Sequence, residues 1–149
     1  MKEVLSQTGE LSVILKLFHL FFGNDDISIY RNLKEQGYDI LLVNEKNKKR
    51  MKIEVKARQR TITSKSNINP RSTYFTLSES EYKNADALVG YWFERNEFYI
   101  VPIKDLIERK SRNKLQYRLE LKIAKNNEPV MRFKKYLENW QYLKEILTS

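Results

Sequence analysis

Four side chains within the first 56 residues of this 149-residue chain have the types and spacing of a hydrolytic centre: Glu10, Asp39, Glu54 and Lys56. Paired strands lie about 4.8 Å apart, so carboxylates on one face, such as Asp39 and Glu54, can share a hard divalent cation. Oxygen ligands without sulfur suit Mg²⁺, which keeps several waters and needs few protein groups, with Mn²⁺ as a substitute. Glu10 would support the ion or its water. Lys56, one pleat beyond Glu54, is placed to polarise an attacking water or to neutralise charge building on a scissile phosphate. The same carboxylates have an ordinary use as partners of Lys52, Lys56 or Arg58, and Glu10 as a first-turn acid complementing a helix dipole.

The elements that must position these groups follow from hydrophobic periodicity. Residues 9–22 repeat at helical spacing, with Thr8 as N-cap and an apolar stripe of Ile14, Leu17, Phe18 and Phe21. Glu10 then lies at the edge of the core face. Residues 27–31 and 38–43 read as strands, with Asp39 inside the second. Residues 51–57 alternate strictly, which puts Lys52, Glu54 and Lys56 on one face and Ile53 and Val55 on the other. The charged turn 44–50 makes the last two strands an antiparallel hairpin.

Residues 59–72 form a long polar connection containing Asn69-Pro70, of the length that usually carries function. Ser78-Glu79-Ser80-Glu81 has capping-box spacing and starts a short helix at Glu79. Residues 87–93 read as a strand buried on both faces, and Pro102 ends another over 98–101. A helix is expected over 103–110 and an outer strand over 117–123. Phe133, Tyr136, Leu137, Trp140, Leu143 and Leu147 mark an amphipathic C-terminal helix, whose aromatic stripe is a candidate contact between copies. The whole is an α/β fold, a mixed central β-sheet flanked by helices, in one domain over 1–149.

Net charge is +9, and residues 45–71 alone carry +8. The candidate phosphate contacts in that stretch are Lys46, Lys48, Lys49, Arg50, Arg58, Arg60, Lys65 and Arg71. Clustered cations gain affinity by releasing counterions condensed on a polyanion, so a nucleic acid is the expected partner. With no Cys, disulfides, thiolate zinc sites and cysteine nucleophiles are excluded, and a cytoplasmic location is expected. The longest apolar run, 11–22, is broken by Lys16 and His19, is too short to cross a bilayer, and lacks signal-peptide features.

Gly37-Tyr38-Asp39 followed by Ile53-Glu54-Val55-Lys56, with a helical Glu10 upstream, resembles the active-site signature of the PD-(D/E)XK nuclease superfamily. Tyr74-Phe75-Thr76-Leu77, Asp86-Ala87-Leu88-Val89 and Phe98-Tyr99-Ile100-Val101-Pro102 extend the likeness over residues 9–107, in a pattern similar to small group I intron-encoded homing endonucleases of that superfamily. Tyr38 departs from the proline of the motif's name. The resemblance implies a restriction-endonuclease-like core and a Mg²⁺-dependent endonuclease hydrolysing DNA phosphodiesters. It implies double-stranded DNA as substrate, a homing or restriction-type role, and action as a homo-oligomer, dimer or tetramer. A Holliday-junction resolvase-like nuclease and a non-catalytic nucleic-acid-binding module on the same fold are the alternatives.

Overall fold

The computed structural model describes residues 2–34, 37–59 and 72–149. Helix α1 (Lys2–Leu20) leads into β1 (Ile27–Arg31), β2 (Ile40–Asn44) and β3 (Arg50–Arg58), which pair as consecutive antiparallel neighbours. β4 (Ser72–Ser78) and α2 (Glu79–Asn84) then carry the chain across so that β5 (Ala87–Trp92) returns parallel to β3. A parallel return requires such a crossover. β6 (Glu97–Pro102) pairs antiparallel with β5, completing a mixed sheet in the order β1-β2-β3-β5-β6. The expected central sheet is present.

A second, antiparallel sheet, β4-β8-β7, forms from β4, β7 (Ile107–Ser111) and β8 (Lys114–Lys122). Residues 103–110 are therefore not the expected helix: a single 3-10 turn, Ile103–Asp105, precedes β7. The cause is a two-residue turn at Arg112 and Asn113, both at positive φ (48° and 64°), whose twist favours a hairpin.

The central strands β5 and β6 are buried on both faces and divide the core by alternation. Ala87, Val89, Tyr91, Phe98 and Ile100 join Val13 and Leu17 of α1, Phe21 just after it, and Leu143 and Leu147 of α4 (Gln141–Thr148). Leu88, Trp92, Tyr99 and Val101 face the other way, onto Phe75, Leu77, Leu119 and Leu121 of the small sheet. Gly90 lies on that second face, where a Cβ would fall 2.6 Å from the Phe75 ring, so only glycine lets the layers approach.

The C-terminal amphipathic helix is present as α4 but shorter than expected, because α3 (Met131–Lys134) is separate. Between them, the Ile100 N–H donates to the Tyr136 carbonyl and the Glu138 N–H to that of Phe98, covering the free edge of β6. Glu138 sits at φ 51°, which breaks the helix. Phe133, Tyr136, Leu143 and Leu147 are consumed in the core, so their stripe is not free to meet a second copy.

α1 starts at Lys2, so Thr8 is not its cap, and the helix buries Gly9, Val13 and Leu17, followed by Phe21 in the turn beyond it, while Phe18 faces solvent. No helix among the described residues is long and apolar enough to cross a membrane.

Candidate active site

The site forms where β2 leaves β3. The two strands pair from Val43↔Arg50 to Ile40↔Ile53, and β3 then runs on beside β5 alone. The departure of β2 leaves a rung of the ladder unfilled. Asp39, one residue before β2 rather than inside it, fills that place: its N–H donates to the Ile53 carbonyl at 2.9 Å, and its Oδ2 accepts the Val55 N–H at 2.7 Å. A backbone requirement thus holds the Asp39 carboxylate at the β3 edge.

Glu54 and Lys56 project from the β3 face opposite Ile53 and Val55, as alternation predicts. Glu54 is one of two buried polar residues among those described, and its Oε1 lies 3.7 Å from the Lys56 Nζ. Glu10 arrives from α1, which sits tightly on β3 because Gly9 meets Ala57: a Cβ at Gly9 would lie 3.1 Å from the Ala57 Cβ. Glu10 lies beside Asp39, close enough to raise its pKa, and its Oε2 accepts from the Arg31 guanidinium at 3.0 Å. All four expected catalytic residues come together.

A fifth side chain joins them. The Lys56 Nζ donates to Glu81 Oε2 at 2.5 Å, and the Glu81 carboxyl lies beside that of Glu54. Glu81 is the N3 residue of the expected capping box: its Oε1 accepts the Ser78 N–H at 2.9 Å and its own N–H donates to the Ser78 hydroxyl at 3.2 Å. Tyr82 stacks on Tyr117 of β8 with ring centroids 3.6 Å apart and secures α2. Capping explained Glu81 from the sequence, yet it occupies one of two oxygens. The second is the signal that was missed.

The electrostatics are those of crowded anions. Burial, the hydrogen bond with Glu81 and the Asp39 charge push the Glu54 carboxyl up to about 10. Burial pushes Asp39 to about 6, with the Val55 N–H opposing and Glu10 reinforcing the rise. Glu81 goes the other way: burial would raise it, but hydrogen bonds from Glu54, Lys56 and Ser78 hold it near 2. The two carboxyls are thus driven apart, Glu54 toward its neutral form and Glu81 toward its ionised one. Lys56 is shifted upward, its partners outweighing its burial, and keeps its charge.

The carboxyl oxygens of Asp39 and Glu54, both facing clefts, are hard donors of the kind that fits a divalent cation. A cation would favour the ionised form of Glu54 and so oppose the upward shift that burial imposes. Among the described residues, no three His, Cys, Asp or Glu side chains stand ready as a metal cage. Arg31 holds Glu10, and Lys56 with Glu81 holds Glu54. Clefts of about 450 and 240 Å³ open onto Asp39 and Glu54 from either side and expose the cluster to a ligand.

The basic residues divide. Arg58 lies at the rim of the larger cleft, its guanidinium over Tyr74 at 4.4 Å, with Arg118 on the same ring at 4.7 Å. Lys46, Lys48, Lys49 and Arg50 are exposed at the opposite end of the β2–β3 hairpin. At ~3.3 Å per residue, six residues of strand place Arg50 about 20 Å from Lys56. That tip is tied to the C-terminus, since Asn44 and Asn47 both donate to the Leu147 carbonyl at 2.9 Å. Arg60, Lys65 and Arg71, with most of the polar connection, lie outside the described residues.

No protein-family profile and no curated protein matches the chain. Among solved structures it is similar to a bacterial homing endonuclease, I-Ssp6803I, at a TM-score of 0.64 and 14% identity, over 97% of this chain and 92% of that one. It is also similar to Archaeoglobus fulgidus Hjc, a Holliday junction resolvase from an archaeal hyperthermophile, at a TM-score of 0.52 and 15% identity, over 82% and 94%. The shared feature is the fold, a restriction-endonuclease-like core.

Proposed function

We propose that this chain is a metal-dependent DNA endonuclease that hydrolyses phosphodiester bonds, with Asp39, Glu54, Glu10, Lys56 and Glu81 as its active site. The observation that carries the reading is the Lys56 ammonium held between Glu54 and Glu81, with the Asp39 carboxylate fixed beside them on the Val55 N–H. Asp39 and Glu54 would hold Mg²⁺, with Glu10 supporting it or its water. When bound, the ion supplies Lewis-acid stabilisation and a water acidified toward neutral pH.

The chain's own groups do the rest. The Val55 N–H keeps one Asp39 oxygen fixed and leaves the other to the cleft. Glu81 holds the Lys56 ammonium beside Glu54, where it can stabilise charge on a phosphate oxygen as the P–O bond is attacked. Arg58 and the hairpin tip supply cations for flanking backbone phosphates, which position the strand without reading its sequence.

Saturation of Glu10 by Arg31 and of Lys56 by Glu81 favours a second reading, a nucleic-acid-binding module that never loads metal. Incubation with linear duplex and with four-way-junction DNA, in Mg²⁺ and in EDTA, separates them. Metal-dependent cleavage of either substrate is expected. Binding with no cleavage of either in Mg²⁺ or Mn²⁺ would establish the second reading.

A further inference from the structure

Helix α1 is apolar on two opposite sides. Its core side carries Val13 and Leu17, continued by Phe21. On the other side Val4, Leu11, Leu15 and Phe18, with Phe22 just beyond the helix, expose between 54% and 91% of their surface. The chain keeps a helical path there, since the Phe21 N–H donates to the Leu17 carbonyl at 3.0 Å. At ~100° per residue these five side chains fall within an arc of roughly 60°, centred nearly opposite the buried stripe. Such a concentrated apolar row is unusual on a free surface.

The row has a specific symmetry. Turned about a two-fold axis at the height of Val13, position 4 falls on 22, 11 on 15, and 18 on 8. Val4 would then meet Phe22 of a second copy and Leu11 would meet Leu15, with Phe18 along one flank of the seam. Large side chains thus face small ones at both ends, as an isologous contact demands. A cleft of about 330 Å³, walled by Phe18, Phe22, Ile27 and Ile29 and bounded by Asn24 and Asp25, lies beside Phe22, where Val4 of the other copy would arrive. The row itself contains no charge to be desolvated. Antiparallel packing also sets the two helix dipoles head to tail.

We infer that α1 pairs antiparallel with α1 of a second copy of this chain through Val4, Leu11, Leu15, Phe18 and Phe22. The exposed part of these side chains amounts to roughly 600 Å² per copy, near the ~800 Å² per partner of a standard interface once flanking Gln7 and Thr8 are included. Glu10 projects roughly 110° round the helix from the row, so pairing leaves both carboxylate clusters uncovered. The inference stands whether or not the cluster is a nuclease site.

The test uses the full chain. Sedimentation equilibrium at tens of micromolar should give twice the 17.9 kDa chain mass, and Leu15→Glu should return it to the single-chain mass with an unchanged circular dichroism spectrum. Geometry is read by cross-linking, because the chain has no cysteine of its own. Antiparallel pairing separates the two copies of position 4 by about 27 Å along the axis. Val4→Cys alone should therefore not form a disulfide dimer, whereas a mixture of Val4→Cys and Phe22→Cys should form the mixed one. Three results would overturn the inference: a wild-type monomer throughout, a dimer that Leu15→Glu leaves intact, or ready self-linking of Val4→Cys. A monomer that floats with phosphatidylcholine–phosphatidylglycerol vesicles would assign the row to a lipid surface instead.

Discussion

Lys56 of β3 is held by Glu81 of α2 at 2.5 Å, closer than the 3.7 Å to Glu54 two residues before it on the same strand. The lysine of the candidate site is thus positioned by an acid that arrives from another layer of the fold. The same acid caps its own helix, so packing of α2 and placement of Lys56 are one construction.

Glu81→Gln tests that construction. Glutamine can still accept the Ser78 N–H, so the capping box survives and the fold should be kept, with stability at neutral pH lowered by loss of the ion pair to Lys56. The charge that fixes Lys56 is lost. Cleavage should fall roughly ten- to hundredfold, mainly in kcat. An unchanged kcat would show that Glu81 only caps the helix.

The carboxyl shifts predict how stability depends on pH. Glu54, raised to about 10, binds a proton in the folded state that the unfolded chain has released above about 4.5. Its contribution is complete below about 4.5 and is lost as pH rises toward 10. Glu81, held near 2, works oppositely: its contribution is present above about 4.5 and lost as pH falls through 2. Without metal, the melting temperature should therefore decline from pH 6 to pH 9. Glu54→Gln, which keeps a neutral side chain, should flatten the decline. Mg²⁺ binding, followed by calorimetry in buffers of differing ionisation enthalpy, should release a proton and strengthen with pH. Metal binding without proton release would contradict the upward shift of Glu54.

Much of this site was legible in the sequence, for identifiable reasons. Period-two alternation placed Glu54 and Lys56 on one face and Ile53 and Val55 in the core, and helical spacing set Glu10 at the edge of the α1 core face. Local signals cannot report partners contributed by distant segments. Glu81 lies 25 residues from Lys56, and Arg31 lies 21 from Glu10. The small sheet was missed because Arg112-Asn113 makes a tight hairpin turn without the glycine that usually announces one. The long C-terminal helix was overestimated because residues 136–138 are needed to cover the β6 edge, a tertiary demand that overrides periodicity.

The charged hairpin tip and the carboxylate cluster lie at opposite ends of β3, so their roles should separate. Lys46→Gln with Lys48→Asn, the latter suited to the positive φ of 65° at that position, removes two exposed cations without disturbing the turn. If both touch phosphates, the log–log salt dependence of DNA affinity should flatten by about 1.8, at ~0.9 per contact on duplex DNA. The single-turnover cleavage rate at saturating protein should stay within about twofold of wild type. An unchanged salt slope would move the DNA path away from the tip and toward Arg58 and the small sheet.

The central claim is that the cluster around Glu54 hydrolyses DNA, and cleavage by Glu54→Gln in Mg²⁺ tests it most directly. Glutamine is isosteric with a neutral carboxyl, so the variant should retain the wild-type circular dichroism spectrum and melt at or above the wild-type temperature at neutral pH. It removes a hard anionic ligand from a site that has few. The expected result is a folded, DNA-binding protein whose cleavage rate is reduced at least a thousandfold beside a cleaving wild type. A folded Glu54→Gln protein that cuts DNA at the wild-type rate would contradict the claim.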